Sequence, residues 1–181
     1  MSSPLTLDIE LADARHARLR AWRHDDLDDL VANADPSARF PYPYSGGDGC
    51  GWLDAVVRDP QGRWALEIEG RVVGGVSLIA VADDACELGY WLGREYWQRG
   101  IMTRVIARFA PEAMRAFRLH RLVATAYADN PASMRVLEKA GFAREGVRES
   151  AIVENGLPLE LAVYARAAGS SDNSPIIAGN H

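Results

Sequence analysis

Cysteine is scarce in this chain: Cys50 and Cys86 are the two among 181 residues, and they form no CxxC pair. That excludes a disulfide-framed secreted module and predicts a reduced, cytoplasmic setting with two free thiols. The four histidines, at positions 16, 24, 120 and 181, show no HExxH or other ligand spacing, so no metal site is expected. No apolar run approaches the roughly 20 residues of a membrane span. The start, MSSPLTLDIE, lacks the basic opening and apolar core of a signal peptide, so no membrane partner is expected. Gly47-x-Gly49-x-Gly51 follows no strand and has the wrong spacing for a dinucleotide fingerprint. There is no internal repeat. The length suits one domain over residues 1–168, followed by a polar tail over 169–181.

What is present is an uneven charge. The net charge of −5 divides into −8 over residues 1–93, +5 over 94–121 and −2 over 122–181. A basic island in an acidic protein suits a bound polyanion or, equally, a solvated arginine-rich helix face. No basic stripe with interleaved aromatics continues outside it, so a nucleic-acid partner is not expected.

The island follows the stretch Glu87–Thr103, ELGYWLGREYWQRGIMT. Its strand half, Glu87–Leu92, is rich in residues that suit a half-buried pleat. It then reaches Gly100, where a helical pattern starts. A glycine at such a junction lets the backbone approach a ligand closely, and the first free N–H groups of the helix favour phosphate.

Around that stretch the elements follow in order. Ala17–Ala21 alternates as a short strand, with an extended piece possible at Leu5–Ile9. His24–Asn33 and Cys50–Asp59 carry helical apolar spacing. Between them, the prolines of Phe40-Pro41-Tyr42-Pro43-Tyr44 rule out helix, and the rings either line a ligand site or pack on the core. Trp64–Ile68 and Val72–Ile79 read as a hairpin turning at Glu69-Gly70. After Gly100, residues Ile101, Val105, Ile106, Phe109, Ala113, Met114 and Phe117 make a broad apolar helix face, which Pro111 kinks without ending. Leu122–Tyr127 reads as a strand buried on both faces. Asn130 as N-cap and Pro131 at the first position open a helix that closes at Gly141. Phe142–Glu149 and Leu157–Ala165 flank an Asn155-Gly156 turn. The order, β-α-α-β-β-β-α-β-α-β-β, is an α+β arrangement.

Gln98-Arg99-Gly100-Ile101-Met102-Thr103, Asn130-Pro131-Ala132-Ser133-Met134 and Lys139-Ala140-Gly141-Phe142 resemble the GNAT superfamily of acetyl-CoA-dependent N-acetyltransferases, and most closely its RimJ/RimL-like branch. The resemblance covers about residues 15–166. It implies a three-layer fold, with a central, mostly antiparallel, splayed seven-stranded sheet and about four helices. It also implies acetyl-CoA as cosubstrate, no metal, and a primary amine as acceptor, either a protein N-terminus or a small cationic amine. The amine would attack directly in a ternary complex, and the protein could pair as a homodimer. The alternative is a CoA-binding regulatory module without efficient turnover. The sequence departs from the superfamily turn at Trp97 and Met102, so the Met102 side chain must point away from the pyrophosphate. Leu137 stands where many relatives keep a tyrosine that serves as an acid.

Acetyl transfer from a thioester needs a neutral amine, a polarised carbonyl, aligned reactants and an accommodated thiolate. Glu87 is the candidate base, or else a solvated strand-end carboxylate. Ser133, at the third position of its helix, either hydrogen-bonds the coenzyme sulfur or simply settles a capping turn. By resemblance, backbone groups of Trp91, Leu92 and Gly93 would hold the pantetheine arm and polarise the carbonyl. Gln98, Arg99, Gly100, Ile101, Met102 and Thr103 would hold the pyrophosphate, and Asn130 would touch the pantetheine. Phe40, Tyr42 and Tyr44, with Glu87, would meet the acceptor.

Overall fold

A computed structural model describes residues 5–34, 49–60, 62–82, 84–154 and 157–169. The loop aromatics Phe40, Tyr42 and Tyr44, the Asn155-Gly156 turn and nearly all of the tail lie outside the described residues. The elements are β1 (Leu7–Glu10), β2 (His16–Arg20), a 3-10 turn (His24–Asp26) running into α1 (Leu27–Asn33), α2 (Gly49–Arg58), β3 (Arg63–Ile68), β4 (Arg71–Ala82) and β5 (Ala85–Leu92). A 3-10 turn (Arg94–Tyr96), α3 (Ile101–Phe117), β6 (Arg121–Tyr127), α4 (Pro131–Lys139), β7 (Ala143–Glu154) and β8 (Leu157–Ala167) complete the order.

The strands form one sheet in the order β1-β2-β3-β4-β5-β6-β8-β7. Only the central β5–β6 pair is parallel. The sheet has eight strands rather than seven because Leu7–Glu10 pairs with β2, from Leu7↔Leu19 to Glu10↔His16, and buries Ile9. The Glu69-Gly70 hairpin turn forms with positive φ at both residues, the conformation that suits the twist of its strands.

Helices cover both faces. On one, α3 and α4 pack Val105, Ile106, Phe109 and Leu137 against Trp64, Leu66, Leu88, Leu122 and Ala124. On the other, α1 and α2 pack Leu30, Leu53 and Val56 against Trp22, Ala65 and Val72. The 17-residue α3 continues past Pro111, held by an apolar face on which Phe109, Ala110 and Ala113 are fully buried. One expectation needs correction. β6 is not buried on both faces: Leu122, Ala124 and Ala126 are buried, while Val123, Thr125 and Tyr127 are only partly covered. The cluster under α1 and α2 takes residues of β3, β4 and β5 and none of β6, so that face of β6 lacks a helix to bury it. No helix among the described residues is long and apolar enough to cross a membrane.

Candidate active site

The parallel ladder between β5 and β6 is short. It runs from Ala85↔Arg121 to Leu88↔Ala124 and stops. Beyond that point β5 stays with β4 as far as Gly74↔Leu92, and β6 stays with β8 as far as Tyr127↔Leu161. The sheet therefore splits after Leu88, and the split lies at the C-terminal ends of two parallel strands, where open sheets take ligands.

Strand alternation assigns the walls of the split. Gly93 donates its N–H to the Val73 carbonyl at 2.7 Å. Antiparallel alternation then turns the N–H groups of Tyr90 and Leu92 away from β4, toward the split. Of the three backbone donors the sequence pointed to, only Leu92 faces the opening. Its carbonyl accepts from the Trp97 indole at 2.7 Å, which folds the loop back on the strand. Gly93 has a packing reason of its own, since a Cβ there would meet Asn33 Oδ1 at 2.5 Å.

Both flanking helices begin at this opening. α3 starts from Gly100, in the left-handed region at φ 68°, with no side-chain cap. The N–H groups of Ile101, Met102 and Thr103 thus occupy its first turn without a capping oxygen from Gly100. A Cβ at Gly100 would meet nothing within 4 Å, so the approach to these groups is open. Met102 is buried and its side chain belongs to the core, clear of that approach. Arg99 lies over the Tyr96 ring, 5.8 Å from its centroid, and Arg104 stands on the first turn. Of the other island arginines, Arg108 and Arg115 pair with Glu112, Arg121 pairs with Glu145, and Arg94 lies over the Trp97 ring. Backbone donors at a helix start, with arginines nearby in the chain, are groups that could take an anion.

α4 starts differently. Asn130 Oδ1 accepts the Ser133 N–H at 3.0 Å, which accounts for Asn130 by capping alone. Ser133 lies in the first turn, and its Oγ is 2.8 Å from the Tyr90 hydroxyl. Burial pushes the Tyr90 phenol up to about 12, with the Ser133 hydrogen bond pulling down and Tyr164 adding a smaller rise. Leu137 is fully buried in the core, so that position offers no hydroxyl.

Glu87 lies on the opposite face of β5, beside the end of the ladder. Thr125 Oγ1 donates to its Oε1 at 3.1 Å and Arg148 Nη2 approaches the same oxygen at 3.4 Å. The carboxyl is part-exposed, at 31%. On this face Trp22 stacks on Trp91 at 6.4 Å and meets Trp52 edge-on at 5.2 Å. These rings, with Ser77 and Ile79, line a shallow depression beside the strand. Another surface hollow, bounded by Pro111, Met114, Leu119 and Arg166, lies toward the far end of α3 and touches none of these groups.

Sequence reasoning missed Tyr90, Thr125 and Arg148. Tyr90 was visible as the odd hydroxyl in ELGYWL, since alternation puts it on the face opposite Glu87 and Trp91. Thr125 and Arg148 reach Glu87 across 38 and 61 residues of chain, and nothing local to Glu87 signals them.

Residues 16–143 match the model of the acetyltransferase (GNAT) domain family. The uncharacterized N-acetyltransferase YoaA of Bacillus subtilis is 32% identical over 116 residues, covering 61% of this chain and 66% of that protein. The curated relatives are matched over 44% to 66% of their own lengths. Among solved structures, Mycobacterium smegmatis RimJ in complex with CoA-disulfide superposes with a TM-score of 0.72 at 24% identity, over 90% of this chain and 87% of that one. Spermidine N-acetyltransferase from Vibrio cholerae, in complex with CoA and spermine, gives 0.72 at 20% identity, over 85% and 96%. These structures share the fold, and the family match covers well over half of the sequence. The chain belongs to the GNAT acetyltransferase family.

Proposed function

We propose that the protein moves an acetyl group from acetyl-CoA to a primary amine, by direct attack within a ternary complex. The observation that carries this reading is the split after Leu88↔Ala124, with the uncapped start of α3 beside it. The first-turn N–H groups of α3, with Arg99 and Arg104, hold the pyrophosphate. The pantetheine extends along the open edge of β5, where the N–H groups of Tyr90 and Leu92 are directed. Glu87, from the other face, accepts the amine proton directly or through a water. Thr125 and Arg148 hold its Oε1, which keeps the carboxyl at the strand end.

The acceptor is a protein N-terminal amine or a small cationic amine. α-Amino groups, near about 7.7–8.0, lose their proton far more readily than lysine side chains near about 10.4. The acidic first half of the chain steers a cation toward the Glu87 face.

The test is turnover of acetyl-CoA on a panel of peptides and polyamines, read by mass spectrometry. Glu87→Gln is expected to lower kcat by about 100-fold, the usual scale for a lost general base. A wild-type protein that binds CoA stoichiometrically but acetylates nothing on the panel would instead be a CoA-binding module. The buried Leu137 favours that second reading.

A further inference from the structure

Tyr90 reaches the split from the face opposite Glu87, three residues along the same strand and thus about 10 Å away. Its hydroxyl carries one proton and faces two oxygens of one residue: the Ser133 carbonyl at 3.2 Å and Ser133 Oγ at 2.8 Å. Two arrangements satisfy that geometry. In one, Ser133 donates back to Tyr90 while Tyr90 donates to the Ser133 carbonyl. In the other, Tyr90 donates to Oγ and the Ser133 proton is free to turn outward. The backbone of Ser133 cannot drift, because Asn130 Oδ1 holds its N–H.

We propose that Tyr90 is the positioning residue for thiolate departure: it donates to Ser133 Oγ, turning the Ser133 hydroxyl outward as a hydrogen-bond donor to the coenzyme sulfur. The proposal rests on the acetyl-transfer reading and adds the leaving-group side of the reaction to it. In that reaction the amine nitrogen attacks the thioester carbonyl carbon and a C–N bond forms. The C–S bond breaks and its electron pair goes to sulfur. The amine proton passes to Glu87 or water, and the thiolate takes its proton from solvent on release. Neither Tyr90 nor Ser133 forms a covalent bond.

Magnitudes decide between hydrogen bonding and full proton transfer. The Tyr90 phenol is pushed up to about 12 by burial, with Tyr164 facing it and Glu138 accepting from Tyr164 at 3.0 Å. A thiol near about 8.5 is a far stronger acid, so moving the phenolic proton onto the thiolate is uphill by roughly a thousandfold or more. The same elevation keeps Tyr90 protonated at every working pH, as a permanent donor requires. A chain of two hydroxyls in a part-buried site also polarises along its length, which strengthens the terminal donor. This arrangement fills the role that the buried Leu137 cannot.

The test compares wild type with Tyr90→Phe, Ser133→Ala, Ser133→Thr and the Tyr90→Phe/Ser133→Ala double variant. Tyr90→Phe and Ser133→Ala are each expected to lower kcat about tenfold, the scale of one hydrogen bond, with the Kd for CoA within about twofold of wild type. The double variant is expected to be no slower than Ser133→Ala, and Ser133→Thr, which keeps the hydroxyl, to stay near wild type. A second readout needs no turnover. The ultraviolet absorbance of the bound CoA thiolate, titrated against pH, should show a higher midpoint in Tyr90→Phe and Ser133→Ala than in wild type. An unchanged midpoint in Tyr90→Phe, fully multiplicative losses in the double variant, or a Ser133→Thr protein as slow as Ser133→Ala would overturn the proposal. If wild type acetylates no amine, the acetyl-transfer reading fails by itself, and the thiol titration still decides the role of Tyr90.

Discussion

Two helices begin at the split, and they begin in opposite ways. α4 is closed at its N-terminus: Asn130 accepts the Ser133 N–H, and Pro131 at the first position has no N–H to satisfy. α3 is open there: Gly100 offers no side chain, so no capping oxygen serves its first turn. A glycine in place of a capping side chain forgoes only a few tenths of a kcal/mol, roughly, so the open start is cheap to keep. The difference is still informative, because the longer helix, with the larger buried face, is the one left uncapped. Its donors suit an external anion. The capped helix instead fixes one hydroxyl, Ser133, against Tyr90 of the neighbouring strand. One helix start leaves its donors uncapped, and the other holds a side chain still.

The sharpest way to break this comparison is to give α3 the cap it lacks. Gly100→Asp places a carboxylate in the phosphate position, and aspartate tolerates the left-handed backbone better than most residues. It should cost the ligand-free fold on the order of 1 kcal/mol in urea denaturation, because the left-handed backbone at φ 68° strains a side chain, while weakening CoA binding about 100-fold, or ~2.7 kcal/mol, by calorimetry. A variant that binds CoA as tightly as wild type would remove the pyrophosphate from α3.

Most of the fold was legible because its signals are local. Apolar spacing after Gly100, the Asn130-Pro131 start and the Glu69-Gly70 turn each name an element from a few neighbouring residues. The eighth strand was harder, since four residues acquire strand character only by pairing with β2. β6 was misread because LVATAY is mostly apolar; the helices of the second face pack on β3, β4 and β5, which leaves Val123, Thr125 and Tyr127 only partly covered. Within the site, Gly100 declared itself by position, and Asn130 by its cap. Gly93 looked like part of a ligand site and proved necessary for the close approach of Asn33, a contact 60 residues away that no local pattern carries. Tyr90 was hidden differently. It sat in plain view within the stretch, but its partner on α4 gives it meaning, and that pairing is tertiary.

That pairing offers a second test, of the closed end. Tyr90 ionises near about 12 in the fold, against 10 for an ordinary phenol. The fold therefore favours the protonated form, and its contribution is complete below pH 10. As pH rises from 10 toward 12 the unfolded chain loses this proton first, and the contribution fades until the folded group also ionises. Wild type should lose on the order of 2 kcal/mol across that window that Tyr90→Phe does not lose. Urea unfolding of the two proteins at pH 9 and pH 11.5 measures the difference. Equal slopes would mean that the phenol is well solvated and that the closed end is looser than its geometry indicates.

The smallest effect discriminates most finely between the two helix starts. Asn130→Ala removes the cap from α4 and leaves the Ser133 N–H without its 3.0 Å partner. A lost cap of this kind costs about 1 kcal/mol, visible as a lower urea midpoint with an unchanged slope. If Asn130 only caps, CoA affinity should stay within about twofold of wild type, because the donors proposed for the pyrophosphate belong to α3. If instead affinity falls in parallel with Gly100→Asp, the asparagine amide contacts the coenzyme as the family resemblance implied, and the two helix starts share one ligand. Stability and affinity must be measured on the same protein. Only their separation distinguishes a helix that is capped for its own sake from one capped to serve a ligand.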